Sequence, residues 1–199
     1  ELLRGAARID LAAVGTGKPG AWQNPDELRL EARDRFWFDA LIRNTSTGHR
    51  FPGGVRDLRD THVTAELTDA NGEVIGVSGD GEQRHRLRVM VVSERAMTQN
   101  THQVAHFRTP AFDHTLGPRD AKIVRFGWRM PESAEQLAWP LELEVGIRHR
   151  RVSPDFAERV CKSSREGRGA NFVEQANRML GVEVDPCAEQ PVTIVDAAR

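Results

Sequence analysis

Leu141-Glu142-Leu143-Glu144-Val145-Gly146-Ile147-Arg148-His149-Arg150 alternates apolar with polar or small residues from Leu141 through Arg148. Successive side chains of a β-strand point to opposite faces, so this period of two describes a strand with one face on a core and the other in water. Working outward, Val124, Phe126, Trp128 and Met130 alternate with Ile123, Arg125, Gly127 and Arg129 in a second strand. Phe36, Phe38, Ala40 and Ile42 mark a third. Val63, Ala65 and Leu67 mark a fourth, which runs into Asp69-Ala70-Asn71-Gly72, a hairpin signal, and a return strand over Glu73 to Val77. Weaker strands near Arg8 to Val14, Arg86 to Val92 and Gln103 to Arg108 bring the count to about seven. With no helices between them, short strands separated by turns predict a mostly β fold, an antiparallel β-sandwich. Val124, Phe126, Trp128, Leu141, Leu143 and Val145 are expected to face one core.

The texture changes after Arg151. Ser153-Pro154-Asp155 is a helix start, followed by Phe156, Ala157, Val160 and Cys161 at helical spacing. Gly169 to Leu180 places Phe172, Ala176 and Leu180 on one face before Gly181 stops the helix. Pro191 to Val195 then reads as a short strand. The expected organisation is a single β-sandwich domain over 1–199, with the sandwich core at 1–151, a helical appendage at 152–190 and a returning strand at 191–196. Gly15 to Pro25 is the one linker-like stretch.

Of the 199 residues, 39% are hydrophobic and 29% charged, and mean hydropathy is −0.53. That composition excludes disorder over the whole chain. Lys and Arg number 28 against 29 for Asp and Glu, a net charge of −1. No bulk positive field gathers phosphates, so nucleic acid is not an expected partner. Leu11 to Val14 and Val89 to Val92, the longest apolar stretches, fall far short of the roughly 20 residues of a membrane span. The start at Glu1 lacks a basic-then-apolar signal, as expected of a mature protein or a fragment.

Cys161 and Cys187 sit in no CxxC, CxxCH or zinc spacing, so the chain fixes no c-type haem of its own. They are either one disulfide or two unrelated thiols. Their loop-like flanks favour the disulfide, worth about 3 kcal/mol on loop entropy and pointing to an oxidising compartment.

The densest local signal is Asn44-Thr45-Ser46-Thr47-Gly48-His49-Arg50-Phe51-Pro52-Gly53-Gly54. Gly48, Gly53 and Gly54 permit unusual backbone angles, Pro52 fixes its own φ, and Phe51 is an apolar plug. Such a loop is rigid and serves either as a structural corner or as a mount for His49. Among seven histidines only His102 and His106 are close in sequence; with His114 they are candidates for a copper or zinc site, although no carboxylate or cysteine completes the set at a recognisable spacing. Gly76-Val77-Ser78-Gly79 lacks a spacer of the nucleophile elbow, and no P-loop or dinucleotide fingerprint occurs. Asp57/Asp60 and Glu142/Glu144 read as solvated charges rather than a glycosidase pair. Arg148-His149-Arg150-Arg151 is a basic strand end whose guanidinium forks match carboxylates.

The run Leu41-Ile42-Arg43-Asn44, Gly48-His49-Arg50-Phe51-Pro52-Gly53-Gly54, Asp57-Leu58-Arg59, then Leu67 to Gly72 and Ser78-Gly79, resembles the C-terminal β-sandwich region of periplasmic multihaem c-type cytochromes. Phe112 to Pro118, Met130-Pro131 and Arg148-His149-Arg150 extend the resemblance over roughly Arg35 to Arg151. Its most specific element is the G-H-x-F-P-x-G loop. In that family the electron is carried by haems at CxxCH sites, which are absent here. The resemblance therefore implies a non-catalytic, periplasmic or extracellular accessory domain or subunit, which shields haems and contacts a multihaem cytochrome polypeptide. Haem c would lie on that partner or on an adjoining segment. His49, Arg50, Phe51, Arg148, His149 and Arg150 are the implied partner- or haem-contact residues, with Gly48, Pro52, Gly53 and Gly54 shaping the loop. A free-standing binding module for a carbohydrate or a metal ion is the alternative.

Overall fold

Phe36, Phe38, Ala40 and Ile42 all point into one apolar interior in the computed structural model, which describes residues 5–20, 22–54, 59–79, 85–87, 89–93, 107–133, 137–181, 183, 185–188 and 192–198. They lie on β2 (Arg35–Asn44), the centre of a three-stranded antiparallel sheet between β1 (Ala7–Thr16) and β8 (Ala121–Arg129). The facing sheet runs β10 (Val192–Ala198), β9 (Glu142–Arg150), β3 (Asp60–Thr68), β4 (Val74–Ser78), with the two-residue β5 (His85–Arg86) also paired to β3. Among the described residues, three strands and five thus form the two layers of the expected antiparallel β-sandwich. β6 (Val89–Ser93) and β7 (Phe107–Asp113) make a separate ribbon. The strand expected near Gln103 to Arg108 is seen from Phe107 and continues to Asp113; its first four residues lie outside the described set.

Val124 and Phe126 from one sheet meet Val63, Ala65, Leu67, Leu143, Val145 and Ile147 from the other in a single buried cluster. Phe38 stacks on Phe126 with centroids 5.1 Å apart, and Trp128 packs against Phe38 at 5.3 Å, geometries that suit the ring quadrupoles. Trp128 also crosses to the opposite sheet, where its Nε1 donates to Ser78 Oγ at 3.0 Å. A Cβ on Gly76 would lie 2.8 Å from the Trp128 ring, so only glycine lets the indole close that edge. Trp128 and Leu141 are half-buried at the rim of the core.

β1 departs from simple alternation. Its pairing with β2 shifts between Leu11 and Ala13, so the inward positions pass from Ala7 and Ile9 to Val14. A bulge of this kind places two residues opposite one and changes which face the chain presents. β1 ends at Thr16, so Gly15 and Thr16 belong to a strand and not to the expected linker. On the outer face of this sheet, Asp39 accepts two hydrogen bonds of 2.6 Å from Arg125 directly opposite, and the guanidinium lies 4.9 Å from the centre of the Trp37 ring. The carboxylate raises the Arg125 pKa.

The predicted helical appendage is α1 (Pro154–Ser164) and α2 (Gly167–Leu180), with Gly181 as a left-handed cap at φ 66°. Neither helix contains a buried residue. Cys161 and Cys187 form a disulfide. β10 then pairs antiparallel with β9, the expected return of the chain. No described helix is long and apolar enough to cross a membrane.

Candidate functional site

Asn44, the last residue of β2, organises the loop that follows it. Its side chain is 1% exposed; Nδ2 donates to His49 O at 2.9 Å and Gly117 O at 3.0 Å, with Leu116 O at 3.4 Å. Its Oδ1 accepts from Thr47 N and Thr47 Oγ1 at 3.2 and 2.6 Å. One amide therefore clamps the turn at Thr47, the carbonyl of His49 and the neighbouring loop after β7. Buried polar atoms need such partners, and each of these carbonyls finds one here. Phe51 completes the anchorage: it is 2% exposed and exchanges two backbone hydrogen bonds of 2.7 and 2.8 Å with Leu116. Pro52 is buried beside it. Phe51 is thus the plug of the loop rather than part of its outer surface.

His49 stands on this frame and is exposed. Its Nδ1 donates to Arg50 O at 2.8 Å. Gly53 lies under the ring so closely that a Cβ there would be 2.6 Å from His49 Cε1. The imidazole is held from below by a glycine and from the side by a carbonyl. Arg50 turns the other way, with Nη1 3.5 Å from Asp113 Oδ2 and 3.4 Å from Thr115 O.

Arg59 links the loop to the basic end of β9. Its Nε donates to Gly53 O at 3.4 Å and its Nη1 to Arg151 O at 2.9 Å. Beside it, Asp60, 3% exposed, faces Arg150 Nη1 at 3.4 Å, Arg86 Nε at 3.6 Å and His62 Nδ1 at 3.7 Å. Two guanidiniums thus face one buried carboxylate at this end of the sandwich. The two groups of residues that the sequence separates by about a hundred positions, His49 to Gly54 and Arg148 to Arg151, are therefore brought to one end. His149 is an exception within the set. It is 7% exposed, with Nδ1 2.7 Å from Thr61 Oγ1, and its ring belongs to the interior rather than to a contact surface. Arg59 is the residue that sequence reasoning missed; it stands within the quoted Asp57-Leu58-Arg59, but nothing local to that triplet shows its reach to Arg151.

Of the three histidines considered for copper or zinc, His114 is exposed just after β7, and His102 and His106 lie outside the described residues. Among the described residues no three His, Cys, Asp or Glu side chains converge on a metal-sized site. At the opposite end of the sandwich a cleft of about 1010 Å³ opens between the sheets, lined mostly by apolar groups such as Leu11, Val14, Leu28, Phe36 and Leu143, with the half-exposed Trp139 at its side.

No protein-family profile and no curated protein sequence matches the chain. Among solved structures, a penta-haem cytochrome c552 from Thermochromatium tepidum superposes on it with a TM-score of 0.57 and 14% identity. The likeness is one of fold. It takes in 100% of this chain and 40% of that one, so the chain spans well under half the length of its structural neighbour.

Proposed function

We propose that this chain is a non-catalytic β-sandwich that works with a multihaem c-type cytochrome, covering haem edges and making the protein contacts that electron transfer requires. The observation that carries this reading is the superposition of the entire chain on part of a penta-haem cytochrome. Arg59 supports it: haem propionates are carboxylates that guanidinium forks match, and this guanidinium bridges the His49 loop at Gly53 and the basic end of β9 at Arg151. The Cys161–Cys187 bond suits the periplasmic or extracellular setting in which c-type cytochromes are assembled. Haem resides on the partner or on an adjoining segment, since no CxxCH occurs here.

Antibody capture of the native polypeptide from its source cells, followed by haem staining under denaturing conditions, tests the proposal. A haem-bearing band is expected, either the same polypeptide in a longer form or a stoichiometric partner. Capture without covalent haem in any band would refute it.

A further inference from the structure

We infer that His49 is a haem-iron axial ligand, acting through Nε2 on a c-type haem whose sixth coordination position is otherwise open. The inference rests on the proposed cytochrome association for the identity of the metal centre, and on the geometry of this loop for the rest. A histidine that ligates a metal through one ring nitrogen characteristically donates the other N–H to a backbone carbonyl or carboxylate, which fixes tautomer and orientation and raises the basicity of the ligating nitrogen. His49 has that arrangement: Nδ1 donates to Arg50 O at 2.8 Å, which leaves the proton off Nε2. Nε2 has no hydrogen-bond partner among the described residues, on a side chain that is exposed.

The support beneath the ring points the same way. Gly53 has an ordinary φ, so its lack of a side chain serves the approach of the imidazole, whose Cε1 would lie 2.6 Å from a Cβ at that position. The carbonyl of His49 itself is gripped by Asn44 Nδ2 at 2.9 Å. Backbone, ring nitrogen and ring face are each fixed before any ligand arrives, so little rotamer entropy remains to be lost on coordination. Three of the other described histidines differ, and the fourth, His114, is exposed like His49 but engaged in an interaction of its own. His62 and His149 are buried, and His85 packs edge-on against Phe126 at 4.8 Å.

The test uses a haem c peptide that carries its own proximal histidine and an open sixth position. Titrated with the 199-residue protein, its ferric spectrum should pass from high-spin to the low-spin form of a bis-histidine haem, with an apparent dissociation constant at least tenfold below that for free imidazole. His49→Ala should weaken the conversion at least tenfold, while His85→Gln and His114→Gln leave it within twofold of the wild type. Gly53→Ala retains the imidazole but displaces it, and should weaken ligation several-fold with an unchanged thermal midpoint. Affinity no better than that of imidazole, or a His49→Ala protein that ligates like the wild type, would overturn the inference. Neither result bears on whether haem co-purifies with the native polypeptide, so the two proposals fail separately.

Discussion

Replacing Asn44 with alanine removes the amide that holds the His49 loop closed. The wild-type side chain makes two good donations, 2.9 Å to His49 O and 3.0 Å to Gly117 O, and accepts from Thr47 N and Thr47 Oγ1. Thr47 Oγ1 also donates to His49 O at 3.0 Å, so it keeps a partner after the change. Each of the three remaining bonds is worth about 1 kcal/mol net, and a carbonyl left dry costs somewhat more, giving a loss of about 3–4 kcal/mol. In a domain of this size that lowers the thermal midpoint by about 6–15 °C. Urea titration followed by tryptophan fluorescence reads the change, since Trp37 is buried and Trp128 packs on the core. Asn44→Asp should be at least as damaging, because it sets a carboxylate against the same carbonyls. Thr47→Val, which removes one hydroxyl at a half-buried turn, should cost no more than about 1 kcal/mol. A loss below about 1 kcal/mol for Asn44→Ala would refute the clamp.

Serine at both Cys161 and Cys187 opens a loop of 26 residues and should destabilise the helical segment by about 3.5 kcal/mol, seen as early loss of far-ultraviolet helical signal on heating; coincident helix and sandwich melting at the wild-type midpoint would count against it. The Asp69 carboxylate is held below its usual pKa, first by the Glu73 amide and then, against burial, by those of Ala138 and Asn71. A lowered carboxylate stabilises above its unfolded pKa and loses that contribution as pH falls, so Asp69→Asn should flatten the stability profile below about pH 4 while lowering stability at neutrality. Asp10 adds to the same acid limb: burial acts to raise it, but hydrogen bonds from Arg43 and Arg8 win and lower it. His85 is shifted the other way for a base, its pKa lowered by burial and then by Lys122. The unfolded chain then binds the proton more readily, so stability should fall as pH drops through about 6.5, and His85→Gln should reduce that slope in pH-dependent urea titrations.

The sandwich was legible where alternation was unbroken. β8 and β9 announce their buried faces because every inward residue from Val124 to Phe126 and from Leu143 to Ile147 is apolar. β1 did not, since the bulge between Leu11 and Ala13 changes the inward parity midway and scrambles the period. The His49 loop was recognisable as rigid from its glycines and proline, yet the residue that makes it so is Asn44, whose partners at Leu116 and Gly117 lie more than seventy positions away. Local patterns carry no trace of such distant pairs. The same holds for His149, which looks like one more member of a basic run and is in fact turned inward to Thr61.

β9 and β10 are hydrogen-bonded neighbours, with His149 opposite Val192, so the strands leave and re-enter the sheet at adjacent rungs. Everything between them, both helices and the disulfide, is therefore a detour inside what is otherwise an ordinary antiparallel hairpin. The register on either side is set by β9 and does not depend on the length of the excursion. A tight turn in place of residues 152–191 is compatible with the same sheet, and so is a longer insertion. The sandwich can in this way keep its barrier around the core unchanged while the excursion is exchanged, as a cassette, for one shaped to a different neighbour.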